Sequence, residues 1–145
     1  MNTIEFNNIK VYNENCIDVM KYMKDNNIGV DLTVCSPPYD DLRTYHNSSS
    51  WNFEIFKQIA QGLWNITNDG GVVVWVVGDA TINGSETGTS FKQALYFMEL
   101  GFKLHDTMIY EKIAVLFLQE ETPRDIHKFL NICLFFARVK YTIVR

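Results

Sequence analysis

An α/β fold with a mostly parallel sheet is predicted by three features of this 145-residue sequence. Stretches of strand character alternate with stretches of helical period, the pattern of helices packed over a parallel sheet. Short turns rich in Gly, Asn, Asp and Pro separate them. One run, residues 72–77, reads Val-Val-Val-Trp-Val-Val, the composition of a central strand covered on both faces.

Residues 9–12 read as a short strand. Cys16, Val19, Met20 and Met23 then recur at i, i+3, i+4 and i+7, which is one face of a helix. Asp25-Asn26-Asn27-Ile28-Gly29 stops that helix. Val30, Leu32 and Val34 alternate with Asp31 and Thr33 as a second strand, which runs into Ser36-Pro37-Pro38-Tyr39, where two prolines end any regular element. After a polar loop to residue 50, Phe53, Phe56, Ala60, Leu63, Trp64 and Thr67 mark a helix, with Ser49 or Ser50 as the expected N-cap. Asn68-Asp69-Gly70-Gly71 ends it before the apolar strand. A Gly/Ser/Thr turn over 84–88 leads to a helix on Phe91, Ala94, Leu95 and Met98, a stop at Gly101 and a strand over 102–110.

Composition narrows the function classes. A chain that is 47% hydrophobic and 21% charged buries a core and is too apolar to be disordered. Its apolar runs fall far short of the roughly 20 residues that span a bilayer, and the N-terminus lacks a signal-peptide h-region, so a soluble cytoplasmic protein without a membrane partner is expected. Cys16, Cys35 and Cys133 have no metal-ligand spacing, and their odd number argues against a disulfide framework. They read as buried free thiols, and no metal is expected. A net charge of -4 leaves no global basic footprint for nucleic acid, so any nucleic-acid reading must rest on a site.

Ligands of open α/β sheets bind beyond the carboxyl ends of strands. Ser36-Pro37-Pro38-Tyr39 stands at such an end. Here the sequence resembles the DNA amino-methyltransferases, which methylate the exocyclic amine of adenine or cytosine and carry Asp/Asn/Ser-Pro-Pro-Tyr after a strand. The resemblance runs from about Lys10 to Lys112 and includes Val11-Tyr12-Asn13-Glu14-Asn15-Cys16, Gly70-Gly71-Val72-Val73-Val74 and Thr107-Met108-Ile109-Tyr110-Glu111-Lys112. It is strongest to the subgroup in which the catalytic tetrapeptide precedes the glycine-rich cofactor motif. The resemblance implies a Rossmann-like S-adenosylmethionine-dependent methyltransferase fold with helices on both faces of the sheet. The fold is expected to be partial, because a complete doubly wound domain of this kind needs about 200 residues.

The resemblance also assigns roles. An exocyclic amine conjugated to its ring is a poor nucleophile, so the site must accept its hydrogen bonds and help the nitrogen become tetrahedral as it attacks the sulfonium methyl. The side-chain oxygen of Ser36 and the backbone carbonyl of Pro37 are the implied acceptors. Pro37 and Pro38 hold the backbone so that this carbonyl points inward. Tyr39 supplies the ring on which a base flipped from double-stranded DNA stacks. The serine leans toward cytosine over adenine. Asn15-Cys16 falls where relatives carry an Asp-Cys that touches the cofactor's adenine, and a helix cap is the competing reading of Asn15.

Other residues carry less. Residues 84–90 lack the lysine and spacing of a P-loop and read as a helix-capping turn. Asp40, Asp41, Arg43, Tyr45 and His46 could border the base pocket or be solvated loop. His105 and His127 have no partner at motif spacing and read as structural or exposed.

After Lys112 the resemblance stops, and residues 113–145 read as an aberrant tail behind a catalytic front half, 1–112. Relatives continue with an aromatic strand of the type Phe-Glu-Tyr-Met-Phe-Val-Phe, a Lys-Gly turn, a target-recognition region and the glycine-rich loop that cradles the cofactor. Read one nucleotide out of register, with permitted third positions, residues 126–140 can be rewritten as Thr-Gln-Ile-Phe-Glu-Tyr-Met-Phe-Val-Phe-Cys-Lys-Gly-Lys, which is that strand and turn. A frameshift near codon 113 is therefore expected. Residues 1–112 carry 8 basic and 14 acidic side chains and residues 113–145 carry 5 and 3, so the front half has too few cations to grip DNA alone. A remnant without activity, a half needing a second chain and a generic Rossmann-like binding module are the alternatives. The strand over 72–77 is expected to lack a partner on one side unless the apolar stretch 129–137 covers its edge.

Overall fold

A computed structural model describes residues 2–38, 51–111 and 130–138. In it β1 (Asn2–Phe6) and β2 (Ile9–Asn13) form an antiparallel hairpin that turns at Asn7 with a φ of 51°. Helix α1 (Cys16–Asp25), strand β3 (Val30–Cys35), helix α2 (Phe53–Ile66) and strand β4 (Thr67–Val77) follow. A minimal hairpin, β5 (Thr81–Ile82) with β6 (Ser85–Glu86), precedes α3 (Thr89–Leu100) and β7 (Lys103–Glu111). The last strand is β8 (Leu130–Ala137).

The main sheet has the order β3-β4-β8-β7. Strands β3 and β4 are parallel, while β8 runs antiparallel to both β4 and β7, so three of the four strands share one direction. The mostly parallel α/β expectation holds. Strand β4 has partners on both sides, because the apolar stretch 130–137 pairs along it from Val72↔Ala137 to Val77↔Ile132.

Right-handed crossovers fix where the helices lie. The chain moves from β3 to β4 and on to β7 in one direction across the sheet, so both connecting helices fall on the same face. On that face Val73, Trp75 and Val77 of β4 and Leu134 and Phe136 of β8 are buried against Phe56, Ala60 and Leu63 of α2 and Ala94 and Phe97 of α3. Phe97 is fully buried and stacks on Phe136 with ring centroids 4.5 Å apart. Helix α1 packs on α2 through Met20, at a point where Gly62 leaves room: a Cβ there would stand 2.7 Å from the Met20 Cε. Helices were expected on both faces; among the described residues they cover one, because no described connection reverses direction across the sheet.

Helix ends explain two further differences. The N-cap of α2 is Asn52, whose Oδ1 accepts the Ile55 amide at 3.0 Å, in place of Ser49 or Ser50, which lie outside the described residues. Asn52 stands three residues before that amide, the reach a cap requires. Helix α3 ends at Gly101 as expected, with φ 113° and a cap N–H to the Met98 and Phe97 carbonyls. Among the described residues, no helix is long and apolar enough to cross a membrane, and no group of three or more His, Cys, Asp or Glu side chains could hold a metal ion.

Candidate functional site

Strand β3 delivers the Ser-Pro-Pro segment to the carboxyl end of the sheet. Cys35 is the last strand residue and pairs with Trp75 of β4. Ser36 follows as an exposed residue and Pro37 and Pro38 as half-buried ones. All three line a cavity of about 540 Å³. Its other walls are Asn15, Cys16, Ile17 and Met20 at the start of α1, Trp51, Ile55, Ile59 and Leu63 along α2, Thr33 and Cys35 of β3, and Trp75. Asn15-Cys16 and Ser36-Pro37-Pro38, which lie 20 residues apart in sequence, thus face one space. They meet because α1 enters beside the carboxyl end of β3. Tyr39 lies outside the described residues, as do Asp40, Asp41, Arg43, Tyr45, His46 and His127.

The lining decides what the cavity can hold. Among the described residues it contains no Lys, Arg, His, Asp or Glu. Apolar and aromatic walls with a few polar atoms, here from Asn15, Thr33 and Ser36, suit a neutral planar ring held by its faces and edge.

Each polar group has a structural reason for its position. The Asn15 Oδ1 accepts the Ile17 amide at 2.9 Å, so Asn15 caps α1, and its place on the cavity wall follows from that cap. Cys16, expected to be buried, is exposed, because it occupies the open first turn of α1. Cys35 is half-buried, and desolvation, with a smaller contribution from neighbouring Cys16, pushes its thiol up to about 11 from an ordinary value of 9.0. Cys35 is therefore a neutral wall group at pH 7.

Three structural features, the first of them at the site, were missed in the sequence. The Trp75 indole, 1% exposed, donates from Nε1 to the Gln93 Oε1 at 2.8 Å, and Gln93 is itself 2% exposed. This buried bond holds the indole that closes the cavity beneath Cys35. Its only signal in the sequence is a glutamine on the apolar face of α3. Asp79, just past β4, accepts the Ser90 amide at 2.9 Å, and its second carboxylate oxygen accepts the Ser90 hydroxyl. Helix α3 is thus capped from the strand before it, while its N-cap position, Gly88, makes no side-chain cap bond. The turn over residues 84–90 ends at this cap, with Gly84 and Gly88 at φ 80° and 64°. Third, Arg138 stacks over Trp64 at 4.6 Å, donates to the Trp64 carbonyl at 3.0 Å and to that of Thr67, and pairs with Asp69 at 3.5 Å. His105 is exposed on β7.

Comparison with known proteins bears out the resemblance. No protein-family model matches the sequence. The chain is 58% identical over 113 residues to the orphan methyltransferase M.BamHII of Bacillus amyloliquefaciens, a match covering 76% of this chain and 41% of that protein. Its fold is similar to that of M1.HpyAVI, with a TM-score of 0.64 and 18% identity over 90% of this chain and 56% of the other. It is likewise similar to the cytosine-N4-specific PvuII DNA methyltransferase, with a TM-score of 0.62 and 14% identity over 90% of this chain and 49% of that one. M1.HpyAVI solved with S-adenosylmethionine matches at a TM-score of 0.58 and 21% identity. The fold is therefore part of the Rossmann-like methyltransferase fold, and the chain spans about two fifths of its curated relative and about half of these solved structures.

Proposed function

We propose that this chain is the base-binding front half of an S-adenosylmethionine-dependent DNA amino-methyltransferase, and that Ser36, Pro37, Pro38 and Tyr39 form the site for the amine. The observation that carries the reading is the cavity at the end of β3, walled by Ser36-Pro37-Pro38 on one side and by Asn15 and Cys16 on the other, in a chain 58% identical to a methyltransferase over 113 residues.

In this reading a base flipped out of double-stranded DNA enters beside Tyr39 and stacks on its ring. The Ser36 hydroxyl oxygen and the Pro37 carbonyl accept hydrogen bonds from the exocyclic N–H groups. Those acceptors draw the nitrogen lone pair out of conjugation with the ring and hold it toward the methyl donor. S-adenosylmethionine, when bound, supplies an electrophilic methyl group on a sulfonium. The uncharged wall at Asn15 and Cys16 fits the adenine ring of that cofactor. The serine in the tetrapeptide favours cytosine as the target base.

The reading is tested by methyl transfer to DNA in a protein complemented with the missing half or restored in frame. Ser36→Ala and Tyr39→Ala should each lose most of the transfer while keeping the wild-type melting temperature. Near-normal turnover by both refutes the assignment.

A second reading rests on residues 126–140, which rewrite out of register as the relatives' aromatic strand and turn. By itself the chain is then a remnant or a half without turnover, its residues 113–145 decoded in a shifted frame. Calorimetric titration of the isolated chain with S-adenosylmethionine separates the two: tight binding favours a self-sufficient enzyme, and no heat favours the half.

A further inference from the structure

Two of the three cysteines stand in the wall of one cavity. Cys16 is the first residue of α1, and Met20, one turn later on the same helix face, lines the same space. Cys35 is the last residue of β3 and pairs in register with core-facing Trp75, so its side chain lies on the helix-covered face of the sheet. Both thiols line the cavity of about 540 Å³, and they are near enough for the charge of Cys16 to act on Cys35. Cys16 is exposed and open to a dissolved reagent, while Cys35 is half-buried. Cys133 pairs with Val76, the neighbour of Trp75 along β4, and so lies on the sheet's other face. An accessible thiol with a second thiol in the wall of the same cavity is the arrangement of a redox pair, and disulfides in reducing compartments are mostly transient ones of this kind.

We propose that Cys16 and Cys35 form a redox modification site, at which a low-molecular-weight disulfide oxidises the pair to a bond that ties α1 to the end of β3 across the cavity. The route is thiol–disulfide exchange. The Cys16 thiolate attacks one sulfur of R–S–S–R, forming a mixed disulfide and releasing RS⁻. The Cys35 thiolate then attacks the Cys16 sulfur, forming the protein disulfide and releasing the second RS⁻. Two protein thiols are oxidised, R–S–S–R is reduced to two R–SH, and the two thiol protons end on the released sulfurs. Burial holds the proton on Cys35, so the second step is the slower one and the mixed disulfide appears first. The bond lies beside Ser36, which follows Cys35 in the sequence and lines the same cavity. In the reading proposed above it takes up space meant for the base and the cofactor; that consequence rests on the reading, while the bond itself does not.

The test treats the full chain with glutathione disulfide and follows it by intact mass and by peptide mapping without reduction. The expected sequence is a glutathione adduct at Cys16, then its loss, leaving a chain two hydrogens lighter in which the Cys16 and Cys35 peptides are joined. Closing this loop should raise the melting temperature by roughly 10 °C, and dithiothreitol should reverse both changes. Cys35→Ser should stop at the adduct, Cys16→Ser should form neither product, and Cys133→Ser should behave as the wild type. A wild-type adduct that never resolves, no reaction at Cys16, a bond to Cys133 or to a second copy, or a joined chain that melts below the reduced one overturns the proposal. Neither DNA nor methyl donor enters the test, so an enzyme reading refuted by the Ser36→Ala and Tyr39→Ala assays leaves the bond standing.

Discussion

Beneath the cavity, the buried bond from the Trp75 indole to Gln93 sets up a double-mutant cycle with a definite sign. Both side chains are almost fully buried and the bond is 2.8 Å long, so neither partner has water to fall back on. Gln93→Leu keeps a side chain of similar size but leaves the indole N–H without its acceptor, which costs about 1–3 kcal/mol. Trp75→Phe strands the Gln93 oxygen and opens space against Phe56 and Phe97, whose rings lie 5.7 Å and 5.3 Å from the indole, and costs about 2–4 kcal/mol. In the double variant no buried polar group is orphaned by the loss of this bond, so its cost should fall below the sum of the singles by about 1–2 kcal/mol. Urea unfolding monitored by circular dichroism, with m held constant across the four proteins, measures it. Costs that add within about 0.3 kcal/mol, or a neutral Gln93→Leu, would refute the claim that this bond holds the cavity floor.

The remaining predictions address the site and its supports. In a complemented protein, Tyr39→Ala should slow methyl transfer by between about five- and 150-fold, the equivalent of losing 1–3 kcal/mol of base stacking, and Tyr39→Phe should restore most of it. Cys35 has a raised thiol pKa, so the folded state keeps the proton that the unfolded chain gives up first: stability is complete below pH 9 and declines by about 2 kcal/mol as pH rises toward 11. Denaturant titrations across that range should show the decline in the wild type and a flatter profile for Cys35→Ala. Arg138→Ala removes a ring contact and two bonds to carbonyls at the end of α2 and should cost about 1–3 kcal/mol in thermal unfolding, of which Arg138→Lys, a point charge without the planar fork, recovers only part.

Periodicity made α1 and most of α2 legible, because each carries an apolar stripe that faces the core. Helix α3 forms where Phe91, Ala94, Leu95 and Met98 placed it, but of these only Ala94 is buried: Phe91, Leu95 and Met98 are exposed, and Ser90, Gln93 and Phe97 join Ala94 in facing the core. The tetrapeptide was legible because two prolines after an alternating strand can only be a loop at a strand end. Strand β1 was missed, although Asn7-Asn8 between Phe6 and Ile9 is a two-residue hairpin turn of the kind Asn favours. The bond from Trp75 to Gln93 and the cap from Asp79 to Ser90 were missed for another reason. They join residues 18 and 11 positions apart whose meeting depends on how β4 and α3 pack, which no local pattern encodes. The unbroken apolar run over 72–77 announced two covered faces. In the structure Val73, Trp75 and Val77 face the core, while Val72, Val74 and Val76 are only half-buried on the open side. The run describes a sheet with both layers in place.

Strand β8 gives the proposed frameshift its sharpest physical test. A tail decoded in the wrong frame should lose the spacing of glycines and charges that builds loops and sites, yet it can retain the apolar character that builds a strand. Every codon for Phe, Leu, Ile, Val and Met has T in its second position, and Phe codons and some Leu codons also begin with T. When the reading frame moves so that a first letter becomes a second letter, a tract rich in Phe and Leu is still read as apolar. Residues 129–136, Phe-Leu-Asn-Ile-Cys-Leu-Phe-Phe, form such a tract. The strand they supply lies between β4 and β7, with Leu134 and Phe136 3% and 0% exposed in the core, and Arg138 follows where the rewritten frame places Lys before Gly. The coding DNA should therefore read, in its overlapping frame, Ile-Phe-Glu-Tyr-Met-Phe-Val-Phe-Cys-Lys-Gly across codons 128–139 and continue into a glycine-rich motif. Restoring that frame should yield a longer protein in which the same strand pairs with β4 in the register Val74↔Phe135, shifted by no more than one residue. An overlapping frame that encodes neither this strand nor a glycine-rich continuation refutes the frameshift. The pairing of β8 would then be a property of this chain's own sequence.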